Sequence, residues 1–353
     1  MDDRLRKQIE EAAAKVRGVR KPAPEPVAPT ELAEWTGELM LSTLLTDAGY
    51  SRIVEGEGFY DVPVTMPEGE WDTLHAGAYI PELSKFSNYM PESKHISRMF
   101  LFLYLKKPVL FTGPPGTGKT TMAEFGAALL RQPFFRLNLN PTLENAELIG
   151  HQSVEGGSMR WVDGVLPVAA REGYFICLDE MWRAPSFVSL SLQGTFDKGG
   201  VIRMLGKHED DALTPHPATN WVLTDNTVGV GDTDGLYSTA QVQDKSFLNR
   251  VGGTIQVGYM PRETEVESLT SEYPDVDAAL TDNLVKLAGL CRTAYMKGEM
   301  ELVFSKRQLE TICSILPYVG EREAVDATFY SSLPESDKGV FQELWFDAMA
   351  YKW

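Results

Sequence analysis

The chain is poor in cysteine, poor in histidine and short of positive charge. Its three cysteines, Cys177, Cys291 and Cys313, are far apart and set in apolar surroundings. A dispersed, odd-numbered set gives no disulfide framework and reads as the buried, reduced thiols of an intracellular protein. The five histidines are scattered, and no Cys/His pair has the spacing of a zinc site. Lys and Arg number 33 against 50 Asp and Glu, for a net charge of -17 at pH 7. Such a surface repels phosphate backbones, which argues against a dedicated DNA- or RNA-binding protein, though not against nucleic acid threading a locally basic pore. The longest apolar run, Met99–Leu105, is far too short to span a bilayer. Met1 is followed by Asp2, Asp3 and a charged helical pattern, not by a secretory leader. The expectation is a soluble, cytoplasmic protein with no membrane association.

What is present is ordinary globular usage: 353 residues, 43% hydrophobic and 24% charged. That is enough for two domains and a short arm. Leu5, Ile9, Ala12, Val16 and Val19 form a narrow apolar stripe over residues 1–20, either docked on the protein itself or offered to a partner. Residues 21–30 carry Pro22, Pro24, Pro26 and Pro29, an extended semi-rigid linker. Residues 31–48 have helical spacing (Leu32, Trp35, Leu39), while 49–92 are rich in Gly, Pro and aromatics with no clear period. The whole stretch 31–92 carries no functional signal.

From Ser93 the pattern sharpens. Ile96, Met99, Phe100, Leu103 and Tyr104 suit one face of a helix. Short apolar strands are predicted at 108–112, 134–138, 174–178, 220–224 and 253–257, with helical stretches between them. Strands alternating with helices predict an α/β fold, a parallel sheet covered on both faces, over 93–260. After Pro261 the strand signals stop. Helices predicted at 276–297, 305–316, 321–332 and 336–351 make 261–353 a small helical domain.

The strongest chemical signal is Gly113, Pro114, Pro115, Gly116, Thr117, Gly118, Lys119 and Thr120, directly after a strand and opening a helix. This is the phosphate-loop pattern in its required context. Glycines let backbone amides approach phosphates, and the helix N-terminus adds positive potential. Lys119 is expected to reach the β- and γ-phosphates, and the Thr120 hydroxyl to join a Mg²⁺ shell with Thr121 beside it. The second signal is Phe175-Ile-Cys-Leu-Asp179-Glu180: four apolar residues form a central strand, and two carboxylates emerge at its C-terminal edge. Asp179 would hold Mg²⁺ through water, and Glu180 would orient or deprotonate the attacking water, a role worth ~10²–10⁴-fold.

These motifs resemble AAA+ ATPases of the MoxR group. Leu178-Asp-Glu-Met-Trp-Arg-Ala-Pro185, Ile149-Gly150, Trp161–Pro167 and Ala170–Gly173 carry the resemblance, and Pro215–Tyr237 is nearest the cobaltochelatase ATPase branch, the CobS type. The resemblance covers residues 93–310. It implies an α/β P-loop AAA+ sheet followed by a helical lid, with ATP and Mg²⁺ as cofactors. It implies roles for Asn226 as a sensor of the γ-phosphate and attacking water, and for Arg250 as a finger projected into a neighbouring subunit's site. Arg307 would be a lid arginine contacting nucleotide, with Lys306 and Arg292 as rivals for that role. The bland readings are a strand-end turn former for Asn226 and a surface arginine for Arg250. Residues 199–206 suit a hairpin strand, where Arg203 and Lys207 either face a pore or are solvated charge, and Trp182 and Arg183 either line a subunit interface or, for Trp182, lie in the core. Asp225 departs from the small residue usual in that group's sensor strand.

The implied protein is a homo-oligomeric ring, hexameric, that couples ATP hydrolysis to remodelling of a partner protein. The resemblance points to a partner with a von Willebrand-type metal-adhesion domain or to a metal-chelatase assembly. The rival readings are a nucleic-acid motor and a nucleotide-dependent scaffold with little turnover.

Overall fold

The computed structural model describes residues 38–67, 78–155, 157–205, 207, 211–227 and 245–353. The apolar stripe of residues 1–20, the proline-rich linker and the part of Pro215–Tyr237 beyond Thr227 lie outside the described residues.

The strands are β1 (Glu38–Met40), β2 (Pro63–Thr65), β3 (Val109–Thr112), β4 (Phe134–Asn138), β5 (Gly150–Glu155), β6 (Ser158–Asp163), β7 (Phe175–Asp179), β8 (Ile202–Arg203), β9 (Ala212–Leu213), β10 (Asn220–Asp225) and β11 (Gly253–Gln256). Five of them form one sheet in the order β11-β3-β10-β7-β4, and every neighbouring pair is parallel. β3, β7 and β10 are buried along their whole length. That is why Val109–Phe111, Phe175–Leu178 and Trp221–Leu223 read in the sequence as unbroken apolar runs instead of alternating ones.

Successive residues feed opposite layers, as the pleat requires. Phe111, Cys177 and Val222 point into one apolar core with Phe100 and Phe125 of the flanking helices. Leu110, Ile176 and Leu223 point into the other, with Leu166, Trp182 and Leu192. The first core also explains residues 38–67 and 78–92. Leu41, Leu45, Ile53, Val64 and Phe86 belong to it, and the rings of Tyr50, Phe86 and Tyr89 surround Phe125 at 4.8, 5.4 and 5.3 Å. This stretch completes the sheet's cover. The helix expected over 31–48 is shorter within the described residues. Glu38–Met40 is extended because it pairs antiparallel with β2, and only Leu41–Asp47 is helical.

Beyond the sheet come helices Arg262–Glu272, Ala278–Met296, Lys306–Val319, Glu321–Thr328 and Glu335–Met349. They enclose their own core around Leu284, Phe304, Ile312, Phe329 and Trp345. The helix expected over 321–332 ends at Thr328, and a 3₁₀ turn at Tyr330–Ser332 follows. In this region Arg292 is buried and grips Glu265 with two bonds, of 2.6 and 2.8 Å, while its Nε donates to the Phe304 carbonyl at 2.8 Å. The guanidinium also lies 4.5 Å from the Tyr259 ring centroid. None of the described helices is long and apolar enough to cross a membrane.

Candidate active site

The loop Gly113–Gly118 leaves β3 and opens the helix Lys119–Leu129, as its sequence predicts. Glycine is required at two points. Gly113 has φ 140°, and a Cβ there would fall 2.0 Å from the Val257 carbonyl oxygen. Gly116 has φ 77°, and a Cβ there would fall 2.7 Å from the Cβ of Ser305. Ser305 caps the helix Lys306–Val319 through a reciprocal box with Gln308, so the loop backbone abuts the helical region directly. The Tyr259 hydroxyl adds a second tie, donating to the Pro115 carbonyl at 3.1 Å.

Lys119 folds back over this loop. Its ammonium donates to the carbonyls of Gly113 at 2.7 Å and Pro114 at 2.8 Å, and to Asn226 Oδ1 at 3.0 Å. All three acceptors are neutral. Burial pushes the amine down to about 8, while the charges of Asp225, Asp179 and Glu180 pull the other way. A buried cation met only by neutral dipoles suits an anion such as a phosphate.

Asp179 ends β7 and is buried. The Thr120 hydroxyl lies 3.3 Å from its carboxylate, and the Thr224 hydroxyl donates to it from β10. From β4 the Arg136 Nε donates to Oδ2 at 2.8 Å, and a second guanidinium nitrogen contacts the same oxygen. Glu180 follows in the left-handed region, φ 59° and ψ 46°, unusual for a residue with a Cβ and costing about 1–2 kcal/mol. Its carboxylate pairs with Arg183 at 3.0 Å.

The strand of Asp179 is not the direct neighbour of the strand that feeds the phosphate loop. β10 lies between them and delivers Asn226 at the centre. The structure therefore brings together Lys119, Thr120, Asp179 and Asn226, with Glu180 next in chain. It does not join Arg250 or Arg307 to them by any hydrogen bond among the described residues. Arg250 donates to Asp197 Oδ1 at 2.9 Å and to the Ser246 carbonyl at 2.7 Å. Arg307 lines a cavity of about 1040 Å³ that reaches Gly116, Thr117, Gly118 and Thr121. Of its rivals, Lys306 donates to Ser268 Oγ at 3.0 Å, and Arg292 is committed to Glu265. Arg203 lies 3.7 Å from Asp211 and Lys207 3.8 Å from Asp163, so both hairpin charges have acidic neighbours. Trp182 is buried, its indole N–H donating to the Thr227 carbonyl at 2.9 Å. It is core, not interface, in this chain.

Sequence reasoning missed Arg136 and Thr224. A lone cation inside Phe134-Phe-Arg-Leu-Asn138 was the available signal. The parallel register then sets Arg136 opposite Cys177, two residue pairs before the end pair Asn138–Asp179.

The donor set fits a magnesium–nucleotide complex. Thr120 and Asp179 offer hard oxygens beside the ammonium and the loop amides. Among the described residues no cluster of three His, Cys, Asp or Glu could hold a metal alone. A cation held by Thr120 and Asp179 would take the rest of its shell from phosphate oxygens and water.

Fold and site together are those of an AAA+ P-loop ATPase, an ATP hydrolase similar to the MoxR-type ATPases. Residues 108–241 match the AAA domain of the dynein-related subfamily. The chain is 26% identical to the aerobic cobaltochelatase subunit CobS of Sinorhizobium sp over 275 residues, 75% of this chain and 82% of that one. It is 27% identical to the gas vesicle ATPase GvpN of Haloferax mediterranei over 228 residues, 59% of this chain and 63% of that one. Protein CbbQ of Hydrogenophilus thermoluteolus is 27% identical over 191 residues, 54% of this chain and 67% of its own. The resemblance read from the motifs is thus borne out at the level of family and fold.

Proposed function

We propose that the chain assembles into a hexameric ring in the cytoplasm and uses ATP hydrolysis to remodel a partner protein. The observation that carries the reading is the cluster in which Lys119 reaches Asn226 while Thr120 reaches Asp179, with Glu180 beside them. Lys119 and the amides of Gly113–Thr121 would bind the phosphates. Thr120 and Asp179 would hold Mg²⁺, which neutralises charge building on the transferred phosphoryl group. Glu180 would take the proton of the attacking water, and Asn226 would orient that water. Arg307, on the cavity wall, would contact the nucleotide from the helical region.

Arg250 stands apart from its own chain's cluster and is tied to Asp197. That arrangement suits a finger serving the next subunit, a role that can be worth ~10³–10⁵ in rate. The similarity to an aerobic cobaltochelatase subunit supports a partner within a metal-chelatase assembly, and the motif resemblance points to a partner with a von Willebrand-type metal-adhesion domain.

The test is a Glu180→Gln protein loaded with ATP. Its mass in solution should be that of six copies, and capture from native lysate should retain a von Willebrand-type protein or a large chelatase subunit. A monomer under ATP overturns the ring. Capture of nucleases with nucleic acid overturns the protein-remodelling reading.

A further inference from the structure

We propose that Asp225 is a positioning residue that locks the segment carrying Glu180 to the turn carrying Asn226. The proposal rests on the roles of Glu180 and Asn226 given above and goes beyond them.

β7 and β10 are held by ladder bonds only as far as the pair Asp179–Thr224. Beyond it the two strands part, β10 keeping only its pairing with β3 at Asp225, and the segments that follow carry Glu180 and Asn226. The Asp225 carboxylate spans the gap. Its Oδ2 accepts the Trp182 amide N–H at 2.8 Å from the first segment. Its Oδ1 accepts the Thr227 amide N–H at 3.0 Å from the second, with the Thr227 hydroxyl at 3.4 Å. The Trp182 indole N–H closes the seam by donating to the Thr227 carbonyl at 2.9 Å. The indole itself is buried, edge-on to Phe247.

Only a carboxylate satisfies this geometry. Both oxygens face N–H donors that come from different segments, so an amide in their place would oppose one N–H with another. A small residue would leave those buried donors unmet. With both oxygens engaged by main-chain donors, Asp225 is no rival base to Glu180. Burial also raises the pKa of its carboxyl, so the chain bears a desolvation cost to keep it here. The strained backbone of Glu180 needs such an external tie, and only Met181 separates it from the seam at Trp182.

Three variants test this: Asp225→Asn, Trp182→Phe and Glu180→Gln, with the Asp225→Asn/Glu180→Gln double. Asp225→Asn should lower kcat about 10²-fold, the scale of a slightly misplaced catalytic group. The Kd for a fluorescent ATP analogue with Mg²⁺ should stay within about threefold, because the hydrogen bonds of Asp225 run to Trp182 and Thr227 and its only influence on Lys119 is through its charge. In the Glu180→Gln background the same change should cost far less than about 10²-fold, since one of the two groups it aligns is already absent. Trp182→Phe, which removes only the indole bond, should lower kcat several-fold, and it carries the test if Asp225→Asn does not fold. A wild-type kcat in Asp225→Asn or Trp182→Phe overturns the proposal alone. So does a full additional loss in the double variant, or a Kd that worsens in step with kcat. Wild-type turnover in Glu180→Gln overturns the base assignment itself and the proposal with it.

Discussion

Arg136 and Asp179 meet through a single carboxylate oxygen, the Arg136 Nε donating to Oδ2 at 2.8 Å from the adjacent parallel strand. The guanidinium thus sits on the carboxylate proposed to hold Mg²⁺, and two cations at one carboxylate oppose each other.

Replacing Arg136 by Ala is therefore expected to tighten the Mg²⁺ requirement. Half of the Arg136 side chain is exposed, so solvent screens the repulsion, and an effect of about 1 kcal/mol, roughly fivefold in half-saturation, is reasonable. Titrating Mg²⁺ at fixed ATP measures it. An unchanged half-saturation would remove the opposition between the two cations, and a higher one would show that Arg136 assists the metal.

Lys119→Ala should abolish nucleotide binding, and normal ATP affinity in that variant would remove the phosphate-loop assignment. Wild-type affinity should also depend on pH in a set direction. The amine lies at about 8 because burial favours its neutral form, whereas bound phosphate favours the charged form. Affinity should be flat below pH 8 and fall about tenfold per unit above it, with proton uptake on binding detectable by calorimetry in two buffers. In the nucleotide-free protein the same depressed value has the opposite sign. The unfolded chain binds more protons between about pH 8 and 10.5, so this group adds stability as pH rises through that window.

Glu180→Gln should bind ATP and hydrolyse it ~10²–10⁴ times more slowly. Arg250→Ala should be equally poor alone. Mixed rings of the two should regain activity, because each supplies what the other lacks. Absence of recovery in rings shown to be mixed would exclude a finger acting between subunits.

Two arginines of the helical region should separate cleanly. Arg292→Met strands buried Glu265 and is expected to cost about 3–5 kcal/mol in chemical denaturation. Arg307→Ala removes no hydrogen bond of its side chain and should leave stability within about 0.5 kcal/mol. Its effect should fall on turnover or nucleotide affinity. Loss of stability without loss of activity would return the lid role to Lys306.

The central strands were readable because burial on both faces leaves one kind of residue available. β3, β4, β7, β10 and β11 all lie within a residue or so of their expected bounds. The phosphate loop was readable because positive φ at Gly113 and Gly116 admits few alternatives. Residues 38–67 were opaque for the converse reason: strands of three residues and helices of one or two turns leave no period to detect. The helix Arg262–Glu272 was missed because one of its buried positions is Glu265, a polar residue satisfied by Arg292 from a different helix. The hairpin β5–β6 was missed because Val154 and Met159 are exposed, which blurs its alternation. Arg136 and Asp225 act across strands or loops, at separations of 43 residues to their partners Asp179 and Trp182. Contacts at that range come from register, which no local pattern encodes.

β10 has hydrogen-bonded neighbours on both edges, and all six of its residues are buried. Its amides should be among the last in the sheet to exchange with deuterium, since opening them requires separating both halves of the sheet. Asn226 is mounted on the end of that strand. Heat should therefore erode turnover and the global fold at the same temperature, with no intermediate range in which the folded protein has lost its chemistry.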